Sequence, residues 1–478
     1  MGAVYPAETT MNLFTDPWIP LASPDGKRIV PYVALLAGEV DAAEIDHPEP
    51  WLAACASMLL AALTQVVLPC DTADDLAAAC ARPLPADRVR AAVAPYIAGA
   101  SLLGDGPRFL QPEGDGGEDD PRATTRLFFD RSATYGQTLR ARPVEALCAS
   151  CAALALYGFL AHAPQGGRGY SPSVRGSSPL TTLVELPSVR ASAHANTLPR
   201  DRVRGQYPAD AAGSPWNVSA RATKPGDAIG LAEGLFWAPR HVRLADAAAG
   251  FCALCGRVGP RVRATSFGPG AKVAGGFFAH PWTPWRVLKG ERRAQVVPAR
   301  PAWTALPSWV RPSDEEGPAP AVASYVQATG ATRVVLRAVG ARFDQTKWLG
   351  TLAAPYAVTL DPAAVDAAAR RAEAVDAARG SLLGALKAAT PGRGRGLDEA
   401  EARFWQAATD AHAHADDAIF ARHVRGAALA IFGDTLAVDV AHPTRGPRVA
   451  RARAGLLAGL TKAFTGAHAL PKETDHAT

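Results

Sequence analysis

No catalytic signature occurs in the 478 residues: H-E-x-x-H, G-x-S-x-G and G-x-x-x-x-G-K-S/T are all missing, and with them the metalloprotease, nucleophile-elbow and phosphate-loop chemistries those spacings serve. The glycines of GRGRG at 392–396 do not follow a dinucleotide-binding pattern. Long hydrophobic runs are lacking as well. The longest apolar stretch, about Ala149 to Ala161, is broken by Ser150 and Gly158 and is shorter than the roughly 18 to 20 residues that span a bilayer, so no transmembrane helix is expected. The opening MGAVYPAE has no basic region ahead of an apolar core, so it does not read as a secretory signal. A cytoplasmic location with no membrane contact is expected, where the seven cysteines stay reduced unless a metal holds them. There is no internal repeat, and the formal net charge of +5 is too small to mark a nucleic-acid binder by itself.

What is present is a chain long enough for two or three domains. Its 48% hydrophobic and 20% charged residues are ordinary for a globular protein. Charge is unevenly placed. Glu113, Asp115, Glu118, Asp119 and Asp120 crowd one stretch, while Arg422, Arg425, Arg445, Arg448, Arg451, Arg453 and Lys462 face only Asp434 and Asp439 near the end. Such a basic tail is either a solvated helix face or a surface that tracks phosphates.

Turn chemistry and periodicity divide the chain. NLFTDPWIPLASPDGKRIVP reads as strand, hairpin and strand about Pro24-Asp25-Gly26. Trp51, Leu52, Met58, Leu59, Leu63 and Val66 fall at helical spacing within 46–68, and a second buried helix is expected from Pro143 to about Ala161. The acidic stretch Gly114–Asp120 reads as a surface loop, and PQGGRGYSPSVRGSS at 164–178 as irregular backbone that can approach a ligand closely. Leu180–Leu186 alternates like a strand. The Trp- and Pro-punctuated region 235–309 reads as irregular β structure around a metal knuckle.

After Asp361-Pro362, a helix cap and first-turn pair, the texture becomes long and Ala-rich. There Phe404, Ala408, Ala411, Ala415 and Ile419 keep one face, as do Val449, Arg453, Leu456, Leu460 and Phe464, with breaks at 390–396 and 442–447. The expected fold is α+β: a large mixed N-terminal domain over 1–360 with a structural zinc knuckle, then a C-terminal antiparallel four-helix bundle over 361–478.

Cys148-Ala-Ser-Cys151 and Cys252-Ala-Leu-Cys255-Gly256 are two C-x2-C pairs. Each turn can offer two thiolates, and together they supply a closed tetrahedral zinc site with no open position for catalytic water. The alternative is that Cys148 and Cys151, like Cys55, Cys70 and Cys80, are small residues of an apolar core. A thioredoxin-like role fits poorly, because neither pair sits in a βαβ setting. His412 and His414 lie two apart on a helix, point to different faces and are expected to be solvated or packed rather than to share a metal.

The ordered set NLFTDPWIP, PRFLQ, CASC with a Gly-rich loop, VRGSSPLTTLV, GLFWAPRHVRL, CALCGR, HPWTPWRV and AWTALPSWV resembles the large subunit (CasA family) of the type I-E CRISPR Cascade surveillance complex over most of the chain. That resemblance implies a non-catalytic subunit that grips the crRNA 5′ handle, reads the PAM of double-stranded target DNA from the minor-groove side, opens the first base pairs to start the R-loop and helps recruit a separate helicase-nuclease. Guide pairing then reads the sequence while the protein reads only a short motif.

Carried over by motif, Phe128 in LFFD resembles the aromatic that meets the handle, with Phe129 as the alternative register and a core Phe as the other reading. Gly167, Arg168 and Gly169 resemble the PAM-facing glycine loop, Arg168 standing where the family has glycine. Lys272 resembles a PAM-contacting lysine. Gln345 resembles a wedge entering the duplex, with Asp344 where a neighbouring amide is usual. Arg422, Arg425, Arg448, Arg451 and Arg453 are candidates for the DNA backbone. From another class, a zinc-stabilised RNA-processing or nuclease enzyme would use the basic tail as its substrate track but lacks a recognisable acid, base or open metal. An assembly scaffold would need none of Gln345, Lys272 or Arg168.

Overall fold

The computed structural model describes residues 11–23, 26–40, 42–104, 106–111, 120–137, 143–167, 169–210, 213–217, 222–224, 227–274, 277–391, 396–412, 414, 416–440 and 444–465. Arg168 and most of the acidic loop at 114–120 therefore lie outside the described residues. The chain mixes helix and sheet and divides into two compact units: residues 1–297 with 308–358, and residues 298–307 with 359–478.

The first unit begins with the expected antiparallel pair, β1 (Ile19–Leu21) and β2 (Arg28–Val30), in register Ile19 to Val30. Trp18, Ile19 and Leu21 are fully buried beneath it. Helix Pro50–Val67 starts at a proline, which fits the first turn because no backbone donor is needed there. By length and composition this helix could cross a membrane, which corrects the reading that the longest apolar run is 149–161; 72% of its apolar window is buried inside the protein, so it is a core helix. Helix Ala149–His162 packs on it, and Gly158 makes the close approach possible: a Cβ there would run into Cys55 Sγ.

That second helix starts at Ala149 rather than near Pro143, because the preceding backbone is committed elsewhere. The Val144 N–H donates to Thr125 Oγ1 at 2.9 Å and the Leu147 N–H to Val262 O at 2.8 Å. A helix begun at Pro143 would turn the Leu147 N–H to Pro143 O and forfeit its bond to Val262.

Strand β3 (Thr181–Glu185) is followed by a long hairpin, β4 (Arg240–Phe251) and β5 (Val258–Pro269), paired antiparallel with register shifts at Arg243/Leu244 and Ala247/Gly250. The hairpin is a longer ladder than the irregular β structure expected of this region; Arg240, His241 and Val242 are all buried, and from Val242 on burial alternates, with Val242 and Leu244 reaching the core. Strands β6 (Trp285–Leu288), β7 (Glu291–Ala294) and β8 (Glu316–Gly317) make a small sheet in the order β7-β6-β8. Strands β9 (Arg333–Asp344) and β10 (Lys347–Thr359) form a second long hairpin, and β9 pairs with β3 in the sheet order β10-β9-β3.

In the second unit, helices Pro362–Ala389, Leu397–His412, Asp417–Thr435 and Gly446–Thr465 share one core that includes Val375, Leu382, Phe404, Phe420, Phe432 and Leu456. Asp361 and Asp416 cap two of them, accepting from Ala364 N at 2.9 Å and Ile419 N at 2.7 Å. The Asp416 cap explains a departure from the expected stripe. Phe404, Ala408 and Ala411 are buried, but a new helix begins at Asp417 and resets the phase, leaving Ile419 37% exposed; Ala415 lies outside the described residues. In the last helix Ala452, not Arg453, joins Val449, Leu456 and Leu460 inside. Trp303 belongs to this core, stacked on His412 at 4.1 Å, while His414 meets His423 edge to face at 4.8 Å.

Candidate metal centre and nucleic-acid interface

The two C-x2-C pairs reach one point through the backbone. Cys148 is the cap residue of helix Ala149–His162 and Cys151 lies in its first turn. Cys252–Gly256 lies in the connection of the β4–β5 hairpin, closed by Cys252 N to Arg257 O at 2.8 Å and Gly256 N to Cys252 O at 3.0 Å, with Gly256 at φ +72°. The Leu147–Val262 bridge draws the two segments together. All four Sγ atoms lie within 4.8 Å of one another, and Cys148 and Cys255 are 3.7 Å apart. Tetrahedral zinc with bonds of about 2.3 Å places its sulfurs about 3.8 Å apart, so the residues fit a structural metal.

Electrostatics favour the same conclusion. Hydrogen bonds with Cys148 and then Cys151 pull the Cys252 thiol down to about 6, whereas its contacts with Cys148, Cys252 and Cys255 push Cys151 well above the ordinary thiol range. Four thiolates cannot share this space without a cation to offset their repulsion. Among the described residues these four cysteines form the one cluster of three or more metal-ligating side chains.

Two neighbours were not anticipated from the sequence. Arg257 Nη2 donates to Cys148 Sγ at 3.3 Å. His47 Nδ1 accepts from Glu49 N at 3.0 Å, which leaves the proton on Nε2, 3.2 Å from Cys151 Sγ. Burial lowers the His47 pKa, in keeping with a neutral ring. Arg257 directly follows the C-x2-C-G run and was in principle findable. His47 is 104 residues from Cys151 and was not.

Of the described residues expected to face the PAM, Gly167, Lys272, Asp344 and Gln345 are exposed and Gly169 is half-exposed. Gly167 is exposed and Gly169 has φ +92°, and a Cβ added at Gly169 would lie 3.9 Å from Pro269 Cβ. Pro269 ends β5, and three residues on Lys272 is exposed with its carbonyl accepting from Thr223 N at 2.9 Å. The glycine loop and the Lys272 segment are therefore neighbours. Gln345 stands at the apex of the β9–β10 hairpin, exposed and at φ +53°, beside exposed Asp344. The hairpin is held below the apex by Phe343 N to Ser178 Oγ at 2.9 Å.

Phe128 and Phe129 are both buried, at 5% and 3% exposure. Phe129 packs edge to face on Phe343 at 4.9 Å, and also on Trp51, Tyr135 and Phe159. Phe128 lies beneath the Arg131 guanidinium, which is paired with Glu49. Both rings line a cavity of about 400 Å³ together with Trp51, Arg131, Trp348 and Thr351. That cavity is one side from which a base could approach Phe128, and Phe129 ties its segment to the stem of the Gln345 hairpin.

In the second unit the arginines sort into two sets. Arg371, Arg379, Arg403 and Arg445 are paired with Asp417, Glu401, Asp434 and Asp439. Arg422, Arg448, Arg451 and Arg453 are exposed and Arg425 half-exposed, and among the described residues none of these five has an ion pair or a side-chain hydrogen bond. Arg422 and Arg425 share a helix face at i, i+3, as do Arg448 and Arg451. Asp434 and Asp439, the acids of this stretch, are engaged with other arginines.

A family model for the CRISPR-associated protein Cse1 matches residues 12–430. Among solved structures, Thermus thermophilus CasA (Cse1) is 19% identical with a TM-score of 0.67, covering 95% of this chain and 100% of that one. Cse1 from Acidimicrobium ferrooxidans is 18% identical with a TM-score of 0.62, covering 96% and 99%. A chain described as a CRISPR RNA-guided surveillance complex is 17% identical with a TM-score of 0.69, covering 95% and 100%. At these identities the structures establish likeness of fold.

Proposed function

The chain belongs to the Cse1 (CasA) family of CRISPR-associated proteins, large subunits of type I-E surveillance complexes, and from that premise we propose that it is a non-catalytic PAM reader. It works in the cytoplasm with crRNA, the other Cascade subunits and a double-stranded target, opens the first base pairs and recruits a separate helicase-nuclease. Residues 1–360 form the domain that meets the PAM and the crRNA handle, pinned by zinc on Cys148, Cys151, Cys252 and Cys255. Residues 361–478 form an antiparallel four-helix bundle whose Arg422, Arg425, Arg448, Arg451 and Arg453 hold DNA phosphates.

Gly167 and Gly169 let the backbone approach the groove, with Arg168 between them and Lys272 adding a positive donor. The minor groove separates mainly A·T from G·C, so such contacts read a tolerant PAM. Phe128 or Phe129 meets the handle. Gln345, beside Asp344, fills the gap left when the first pair separates and offers an amide that both donates and accepts without adding charge. This offsets part of the roughly 1.4 kcal/mol lost per unstacked step.

The observation that carries the reading is Gln345 itself: an exposed side chain at a hairpin apex, held at φ +53°. A non-glycine residue there costs about 1–2 kcal/mol, a strain that marks the position for what its side chain meets. In the assembled complex, Gln345→Ala and Gln345→Gly should slow R-loop formation on fully paired DNA far more than on DNA pre-opened beside the PAM. The glycine variant should at the same time unfold at a higher denaturant concentration. Equal slowing on both substrates, or on neither, overturns the wedge. Cleavage of labelled nucleic acid by the purified chain alone would favour the enzyme reading instead.

A further inference from the structure

Arg240, the first residue of β4, is 3% exposed and has no carboxylate partner among the described residues. A buried guanidinium without a counter-charge is costly unless its donors are taken up by well-placed acceptors. Here they are taken up by backbone carbonyls at both ends of the glycine loop. Nη2 donates to Pro164 O at 2.6 Å, and Nη1 donates to Ser171 O and to Pro239 O, the latter at 2.9 Å. The same guanidinium lies over the Tyr170 ring, 5.1 Å from its centroid, and Tyr170 stacks on Phe267 of β5. The neck of the loop is thus closed by one side chain from a strand 69 residues beyond Ser171.

The backbone around Arg240 governs the second segment. Ala238 O accepts from Ala271 N at 2.8 Å and Pro239 O from Gly270 N at 3.1 Å. Gly270 is what permits that approach, since a Cβ there would collide with Ala238 O and Arg240 N. Two residues further lies Lys272. One short segment therefore fixes the glycine loop through its side chain and the Lys272 segment through its main chain.

We propose that Arg240 is the positioning residue that sets the glycine loop and Lys272 in register with each other, an inference that rests on the PAM-reading role given to both. Lysine would not replace it, because a single ammonium cannot span two carbonyls in the plane a guanidinium provides.

The test is Arg240→Lys in the full chain, with amide hydrogen exchange read on peptides covering 164–171 and 268–274, and target binding read in the complex assembled with crRNA. Both peptides should exchange faster while the rest of the first unit keeps its protection. The affinity ratio between DNA with and without the PAM should fall by about tenfold, with affinity for DNA lacking the PAM unchanged. Unchanged exchange in both peptides overturns the positioning role, whatever the DNA does. If exchange rises but the wild-type complex shows no PAM preference, the positioning stands and the PAM reading of these segments fails. Should Arg240→Lys not fold, Tyr170→Leu removes the ring beneath the guanidinium. It should loosen 268–274 as well as 164–171, and an effect confined to 164–171 would overturn the shared anchor.

Discussion

At the scale of single residues, the buried histidines set how the protein meets acid. His194 is fully buried, neither ring nitrogen has a partner among the described residues, and burial followed by the nearby Arg190 and Arg88 lowers its pKa to about 4. Burial holds His162 and His280 well below the ordinary value too. Between pH 6.5 and about 4 the unfolded chain binds a proton at His194 that the folded chain refuses, so stability is complete above 6.5 and declines as the pH falls through this window. The shift corresponds to about 3 kcal/mol for His194 alone. His194→Leu should shrink the loss of unfolding midpoint between about pH 7 and pH 4.5, and an undiminished acid loss would show that the imidazole is not what destabilises the fold.

At the scale of elements, the cysteine turn makes the end of the β4–β5 hairpin and the start of helix Ala149–His162 one body. A zinc ion held by all four thiolates would carry a net negative charge, which the donors from Arg257 and His47 would partly offset. Elemental analysis should find one zinc per chain. Cys252→Ala should abolish binding and lower thermal stability. Arg257→Ala and His47→Ala should each weaken zinc affinity by about 10- to 100-fold in competition with a chromogenic chelator, and affinities equal to wild type would remove both from the metal's surroundings. The spacing of the cysteines was legible because two ligands per turn is a local property. The donors that reach the sulfurs from outside the turns were not, because Cys151 meets His47 through tertiary packing alone. The same contrast separates two of the hairpins: the Pro24-Asp25-Gly26 motif announced the pairing of β1 with β2, whereas no residue type near Gln345 announced its left-handed backbone.

At the scale of the whole molecule, charge placement matters more than the net +5. Among the described residues, Arg422, Arg425, Arg448, Arg451 and Arg453 of the second unit stand without an ion pair while their neighbours are paired with acids. Within the assembled complex, Arg448→Glu with Arg451→Glu should reduce the magnitude of the log-affinity against log-salt slope by about 0.9 for each phosphate no longer neutralised, without altering PAM preference. An unaltered slope and affinity would reject this face. By itself the sequence determined the mixture of strands and helices, the core helix after Pro50, the helical second unit, the two paired cysteine turns and the family, because each rests on local periodicity, turn chemistry or ordered motifs. Only the tertiary structure decided that Phe128 and Phe129 are buried, that Trp303 joins the helical core and that Arg240 closes the glycine loop. Those outcomes depend on which distant carbonyls and rings happen to surround a side chain, and no window of the sequence contains both partners.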